Sequence, residues 1–147
     1  MDQIERFLIE RACEKLVVAY THYVDHGQAS RIADLFTEDG RWTAPGVEMR
    51  GREQLRAGFA RREANQGRMS RHVCTNFLCE VHDNDHASGV VYLTLYRHDG
   101  AVDRRTSPLK APALVGEYRD RFVCTEAGWR IASRDLEVAF SREDLDS

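Results

Sequence analysis

At 147 residues the chain fits one domain, spanning 1–147, and is long enough to bury a core without disulfide staples. Its 42% hydrophobic and 31% charged content is ordinary for a globular protein, and a net charge of -3 gives no electrostatic reason to expect nucleic acid or an anionic membrane. No apolar run approaches membrane-spanning length, and the acidic, helix-like start Met1-Asp2-Gln3-Ile4-Glu5 argues against a secretory signal, so a cytoplasmic location is expected.

Asp2 and Glu5 have capping-box spacing and precede Ile4, Phe7, Leu8, Ala12, Leu16, Tyr20, Tyr23 and Val24 at steps of three and four. This predicts a long first helix closed by Gly27. Ser30 is positioned to cap a short second helix through Ile32, Leu35 and Phe36. Glu38-Asp39-Gly40 reads as a turn and Arg41 to Ala44 as a strand; Pro45-Gly46 turns into a short strand ending at Gly51. A third helix runs from about Arg52 to Asn65, with Leu55 and Phe59 on its buried side. Beyond it Arg71 to Val81, Ser88 to His98, Leu114 to Thr125 and Trp129 to Phe140 alternate as strands do. His82-Asp83-Asn84-Asp85-His86 falls between two of them as a hairpin tip, and Asp99 to Pro112 forms one longer loop. Helices first and an antiparallel meander after them predict an α+β fold, with the helices on one sheet face. Both faces of the strands are substantially apolar, which suggests a thick core or a second subunit over the outer face.

In the first long strand His72, Cys74, Asn76 and Leu78 fall on one face, and Val73, Phe77, Cys79 and Val81 on the other. In the last, Ala132, Arg134, Leu136, Val138 and Phe140 share a face. Arg134 therefore lies in an apolar row, where its guanidinium must find an acceptor, open onto a wet cavity, or reach water along its stem. His72 is either a histidine satisfied inside the core or a group facing a pocket between sheet and helices. Asp25, near a helix C-terminus where an acid is disfavoured by the dipole, is either solvated or held there for another reason. Tyr20 and Asp25 are five positions apart and point in different directions on a regular helix. Asp120, between Tyr118 and Phe122, is a further candidate pocket acid unless a bulge turns it outward. The four cysteines form no CxxC pattern and read as small buried hydrophobes; a metal site at His72 and Cys74 would need further ligands that no spacing demands. The arginine-rich stretches Arg61-Arg62, Arg104-Arg105 and Arg119/Arg121 are interleaved with acids and read as solvated faces.

Several segments carry a family resemblance: Tyr23-Val24-Asp25-His26-Gly27, Ile32 to Gly40, Trp42, Gly51 with its helix, Arg71-His72, Thr75-Asn76 and Gly128-Trp129-Arg130-Ile131. Over nearly its whole length the chain resembles a SnoaL-like domain of the nuclear transport factor two-like superfamily. That resemblance implies a cone-shaped roll, three N-terminal helices packed on a curved, mostly antiparallel sheet. The likeness is greatest to the branch of scytalone dehydratase, bile acid 7-alpha-dehydratase and lindane dehydrochlorinase. In that branch an acid at the place of Asp25 pairs with a histidine at the place of His72, which takes a proton from the substrate. Arg134 and Tyr20 fall at places of further functional residues, and Trp42 resembles a pocket tryptophan. The second histidine of the scytalone enzyme has no secure counterpart here.

The expectation is therefore a lyase performing β-elimination on a small, cyclic, largely apolar hydroxylated substrate (polyketide- or steroid-like), with no metal or organic cofactor. His72, Asp25, Arg134 and Tyr20 carry the chemistry; Trp42, Asn76, Tyr23, Phe59, Tyr118 and Asp120 line the substrate. A homotrimer is expected, with a dimer as the alternative. A double-bond isomerase, a small-ligand carrier and a structural subunit like the small subunit of ring-hydroxylating dioxygenases are the competing readings, because this fold hosts all of these.

Overall fold

A computed structural model describes residues 1–100 and 106–142. Arg104 and Arg105, and the middle of the Asp99 to Pro112 loop, lie outside the described residues. The first helix, α1 (Gln3–Asp25), begins at the expected capping box: Asp2 accepts from the Glu5 amide at 2.7 Å and Glu5 from the Asp2 amide at 3.3 Å. Cys13, Leu16, Val17, Tyr20 and Val24 form its buried stripe. It ends before Gly27, whose φ of 75° turns the chain in a conformation that favours glycine.

A 3-10 helix (Ala29–Leu35) follows and buries Ala29, Ile32 and Ala33. Ser30 does not cap it. It lies inside the element, and its hydroxyl donates instead to Glu63 Oε1 at 2.9 Å, tying the short helix to α2 (Gly51–Ala64). The sheet comprises β1 (Phe36–Ala44), β2 (Val47–Arg50), β3 (Arg68–Val81), β4 (His86–Asp99), β5 (Leu114–Thr125) and β6 (Gly128–Ser141), in the spatial order β2-β1-β6-β5-β4-β3. All neighbours are antiparallel except β1 and β6, which run parallel. The α+β architecture, with three helices on a mixed and mostly antiparallel sheet, is as expected.

Bulges account for three departures from simple alternation. Glu38-Asp39-Gly40 is no turn: it bulges within β1, where pairing to β6 passes from Phe36–Ile131 to Arg41–Ser133. In β3 the register shifts between Thr75 and Leu78, and Asn76 sits there with φ 58°. Beyond that bulge the faces exchange: Phe77, Cys79 and Val81 continue the inward row of His72 and Cys74, while Asn76 and Leu78 turn to solvent. In β6 pairing passes from Phe122–Ile131 to Arg121–Ser133, so Ala132 is the extra residue, and Ile131 shares the inward row with Arg134 and Leu136. Val138 and Phe140 belong to the exposed end of β6.

The core lies between the helices and the inner sheet face, around Ile32, Phe36, Leu55, Val91, Leu93, Phe122 and Ile131. The outer face exposes Val73, Leu78, Tyr92 and Tyr96. No helix among the described residues is long and apolar enough to cross a membrane.

Candidate active site

Between α1, α2, β1 and the inner face of the sheet lies a cavity of about 300 Å³. Tyr20 and Val24 reach it from α1, Trp42 from β1, Phe59 from α2, His72 from β3, Leu93 and Leu95 from β4, Tyr118 from β5 and Leu136 from β6. The alternation of β3 aims His72 inward, and its backbone partner across the ladder is Leu95.

Asp25 stands behind His72 rather than in the cavity. Its Oδ1 lies 2.6 Å from His72 Nδ1, and its Oδ2 accepts the His72 backbone N–H at 2.8 Å. Ser70 Oγ donates to Oδ1 at 2.8 Å. The two side chains are only 11% and 5% exposed, so the pair is screened from solvent. Burial pushes the Asp25 carboxyl up, but the hydrogen bonds and charge of His72, with Ser70, outweigh it and hold the group below the usual carboxylate range. An ionised carboxylate only accepts, so Nδ1 carries a proton, and in the neutral ring Nε2 then holds the lone pair. The five-residue offset between Tyr20 and Asp25 is thereby explained: one lines the cavity and the other supports it from behind.

Tyr20 is 2% exposed and lies edge-on to His72, with ring centroids 6.4 Å apart. Trp42 Nε1 donates to Tyr20 Oη at 3.1 Å, and the Tyr20 and Tyr118 rings meet edge-on with centroids 5.7 Å apart. Burial raises both phenols above their ordinary values, so both keep their protons. An indole N–H can only donate, so the Tyr20 hydroxyl accepts from Trp42 and keeps its own hydrogen to donate.

Arg134 does not open onto the cavity. It is fully buried, and its Nε and Nη2 both donate to Asp120 at 2.8 Å. Its Cζ sits 3.9 Å from the Tyr118 ring centroid and 4.4 Å from that of Tyr20. Although burial opposes the charge, Asp120 raises the guanidinium above its ordinary value, so the ion pair persists. Arg134 and Asp120 thus form a charged platform beneath the two phenols, and neither side chain touches the cavity.

The remaining predicted residues divide. Trp42, Phe59 and Tyr118 line the cavity; Tyr23 packs under the Arg31 guanidinium at 4.6 Å and is not part of the lining, and Asn76 faces solvent for the reason given above. Cys74, beside His72 on the inward row, is a neutral thiol whose pKa is pushed up to about 11 by burial. No three His, Cys, Asp or Glu side chains among the described residues are placed to share a metal ion.

Two groups were not singled out from the sequence. Ser70 is buried beneath Asp25, and its place on the row of His72, two residues before it, was the available signal. Arg61, Arg62, Arg68 and Arg97 line the cavity mouth, so Arg61-Arg62 is not merely a solvated face. Residues 106–111 of the long loop wall a separate cleft of about 310 Å³ that meets the cavity at Ser70 and Arg97.

The family model of the SnoaL-like domain matches residues 5–135. No curated protein matches the chain. Among solved structures, a protein of unknown function from Mycobacterium tuberculosis, Rv3472, is similar at 28% identity and a TM-score of 0.76, over 95% of this chain and 77% of that one. A proposed scytalone dehydratase from Novosphingobium aromaticivorans has a TM-score of 0.83 at 18% identity, covering 99% of this chain and 94% of its own. LinA has a TM-score of 0.79 at 17% identity, over 99% and 97% of the two chains. The last two likenesses are likenesses of fold.

Proposed function

The chain belongs to the SnoaL-like domain family, and we propose that this member is a cofactor-independent lyase that eliminates water from a cyclic, largely apolar hydroxylated substrate. The observation that carries the reading is the Asp25–His72 pair, 2.6 Å apart, with the free edge of the imidazole on a partly aromatic cavity. A histidine placed only for packing needs no ionised carboxylate holding its far nitrogen.

In this reading His72 Nε2 removes a proton from the carbon next to the one bearing the hydroxyl. Asp25 keeps the ring in the required tautomer and stabilises the imidazolium as it forms. The C–O bond breaks as the double bond forms, and His72 returns the proton to the departing hydroxide, which leaves as water. The hydroxyls of the neighbouring Tyr20 and Tyr118 phenols donate to and stabilise the negative charge that develops on the substrate. Arg134 biases that pair toward donating by placing its charge against both rings.

A double-bond isomerase would use the same base and the same phenol pair, returning the proton to carbon rather than oxygen; product analysis separates the two. We further propose a homotrimer, supported by the apolar residues Val73, Leu78 and Tyr92 on the outer sheet face.

The test is ¹⁵N NMR of the imidazoles of the intact chain, followed by a screen of hydroxylated ring compounds. His72 should show a protonated Nδ1 and a bare Nε2, and Asp25→Asn should disturb that tautomer. His72→Ala should abolish turnover with the far-UV CD spectrum unchanged. An Nε2–H tautomer indifferent to Asp25, or turnover retained in His72→Ala, would remove His72 as the base.

A further inference from the structure

Accepting the lyase reading of this cavity, we propose that its substrate is an acid: an apolar ring body bearing a carboxylate, held at the cavity mouth by Arg62 and Arg68 with Arg61 and Arg97 beside them.

The cavity is divided in character. Around His72 its wall is apolar and aromatic, with Phe59, Leu93 and Leu95, whereas its mouth carries four arginines. No carboxylate side chain is among the described lining residues. Arg61 is exposed, but the other three are not solvated surface charges. The Arg97 and Arg68 side chains are 16% and 28% exposed, and Arg62 is half-buried at the C-terminal end of α2. Asp99 meets Arg68 at 2.8 Å and approaches Arg97 at 3.6 Å, while being 55% exposed itself.

Arg62 is the informative one. Its hydrogen bonds go to neutral acceptors, Ser70 Oγ at 3.0 Å and the Asn65 carbonyl at 3.4 Å. Desolvation, and next the charge of Arg68, lower its guanidinium below the ordinary arginine value and outweigh the more distant charges of Asp25 and Asp99. A half-buried cation in such surroundings is favoured by an incoming anion, and a guanidinium fork matches a carboxylate in two hydrogen bonds.

The register of the β3–β4 ladder sets the spacing. Ser70–Arg97 is one inward rung beyond His72–Leu95, and Arg68–Asp99 is two. At about 3.4 Å per residue these rungs lie roughly 7 and 14 Å from His72 along the strand. The carboxylate therefore belongs at the far end of a substrate about two fused rings long, not on the carbon that loses its proton. Arg62 is also linked to the base: it donates to Ser70, and Ser70 donates to Asp25. An anion bound there sits at one end of a hydrogen-bond chain whose other end is His72.

The experiment is isothermal titration calorimetry of the intact chain with 2-naphthylacetic, 4-(2-naphthyl)butanoic and 6-(2-naphthyl)hexanoic acids, each against its neutral primary amide. At low salt the better-fitting acids should bind at least about tenfold tighter than their amides, as expected of charge-assisted hydrogen bonds. Arg62→Gln and Arg68→Gln should each remove most of that preference. Arg62→Lys, keeping the charge but not the fork, should retain part of it, and Arg56→Gln on the outer surface should retain all of it. Equal affinity of acid and amide, a preference indifferent to Arg62 and Arg68, or no saturable binding of any acid up to 1 mM overturns the proposal. The measurement needs no turnover. An acid preference found together with a His72 tautomer indifferent to Asp25 would leave the anion site standing and remove the lyase.

Discussion

Replacing Arg134 by Met tests the charged platform beneath the phenols. Both side chains of the Arg134–Asp120 pair are wholly buried, and the pair is bidentate, with both bonds at 2.8 Å. Removing the guanidinium leaves a carboxylate in the core with no cation, a loss of about 3–5 kcal/mol for buried pairs broken on one side. The contacts with the Tyr20 and Tyr118 rings add roughly 1–2 kcal/mol. With an unfolding entropy of about 2.1 cal/mol/K per residue, a loss of 4 kcal/mol corresponds to a fall in Tm of about 13 °C. Asp120→Leu alone strands the guanidinium and should cost a similar amount. The double variant Arg134→Met/Asp120→Leu removes both charges and should recover to within about 2 kcal/mol of the parent. Urea unfolding followed by CD on the four proteins closes the cycle. A single-variant loss below about 1 kcal/mol, or a double variant showing the full sum of the two losses, would refute the account. Turnover then separates scaffold from chemistry: if Arg134 acts through Tyr20 and Tyr118, the double variant regains stability but not rate.

The depressed carboxyl of Asp25 has a pH consequence. A group whose folded pKa lies below its unfolded value, here 3.8, stabilises the fold above that value, and the contribution is lost as pH falls through the folded pKa. The Tm difference between wild type and Asp25→Asn should therefore shrink as pH falls below 3.8; a difference unchanged from about pH 5 down to about pH 2.5 would contradict this. At Asn76, with φ 58°, substitution by Gly should change stability by less than about 0.5 kcal/mol and Val should cost about 1–2 kcal/mol. Neither should alter turnover, since the side chain faces outward; lost activity in Asn76→Gly would return that residue to the site. Sedimentation equilibrium should give a trimer that Tyr92→Glu dissociates, and a wild-type monomer at micromolar concentration would remove the proposed assembly.

What the sequence alone determined is what depends on neighbours along the chain. The Asp2–Glu5 capping box, the end of α1 before Gly27, the four long strands and the hairpin tip at Asp83 all follow from local spacing, and the structure has each in place. Ile4, Phe7 and Leu8 of the expected α1 stripe, by contrast, are exposed, and the buried stripe begins at Cys13. The inward aim of His72 followed from alternation too, because the β3 ladder is regular from Arg68 to Thr75. Tertiary structure decided whatever depends on partners far along the chain. Alternation predicts a face only as far as the next bulge, and bulges arise from cross-strand pairing: Asn76 and Ala132 are displaced by registers set with β4 and β5. The pairing of Arg134 with Asp120 was open because a buried guanidinium can be satisfied by any acceptor the fold brings near it. Arg62 and Arg68, near the loop between α2 and β3, became one cluster with Arg97 only when β3 and β4 paired. Periodicity shows which way a side chain points; which charge waits opposite it is settled by the packing of the whole chain.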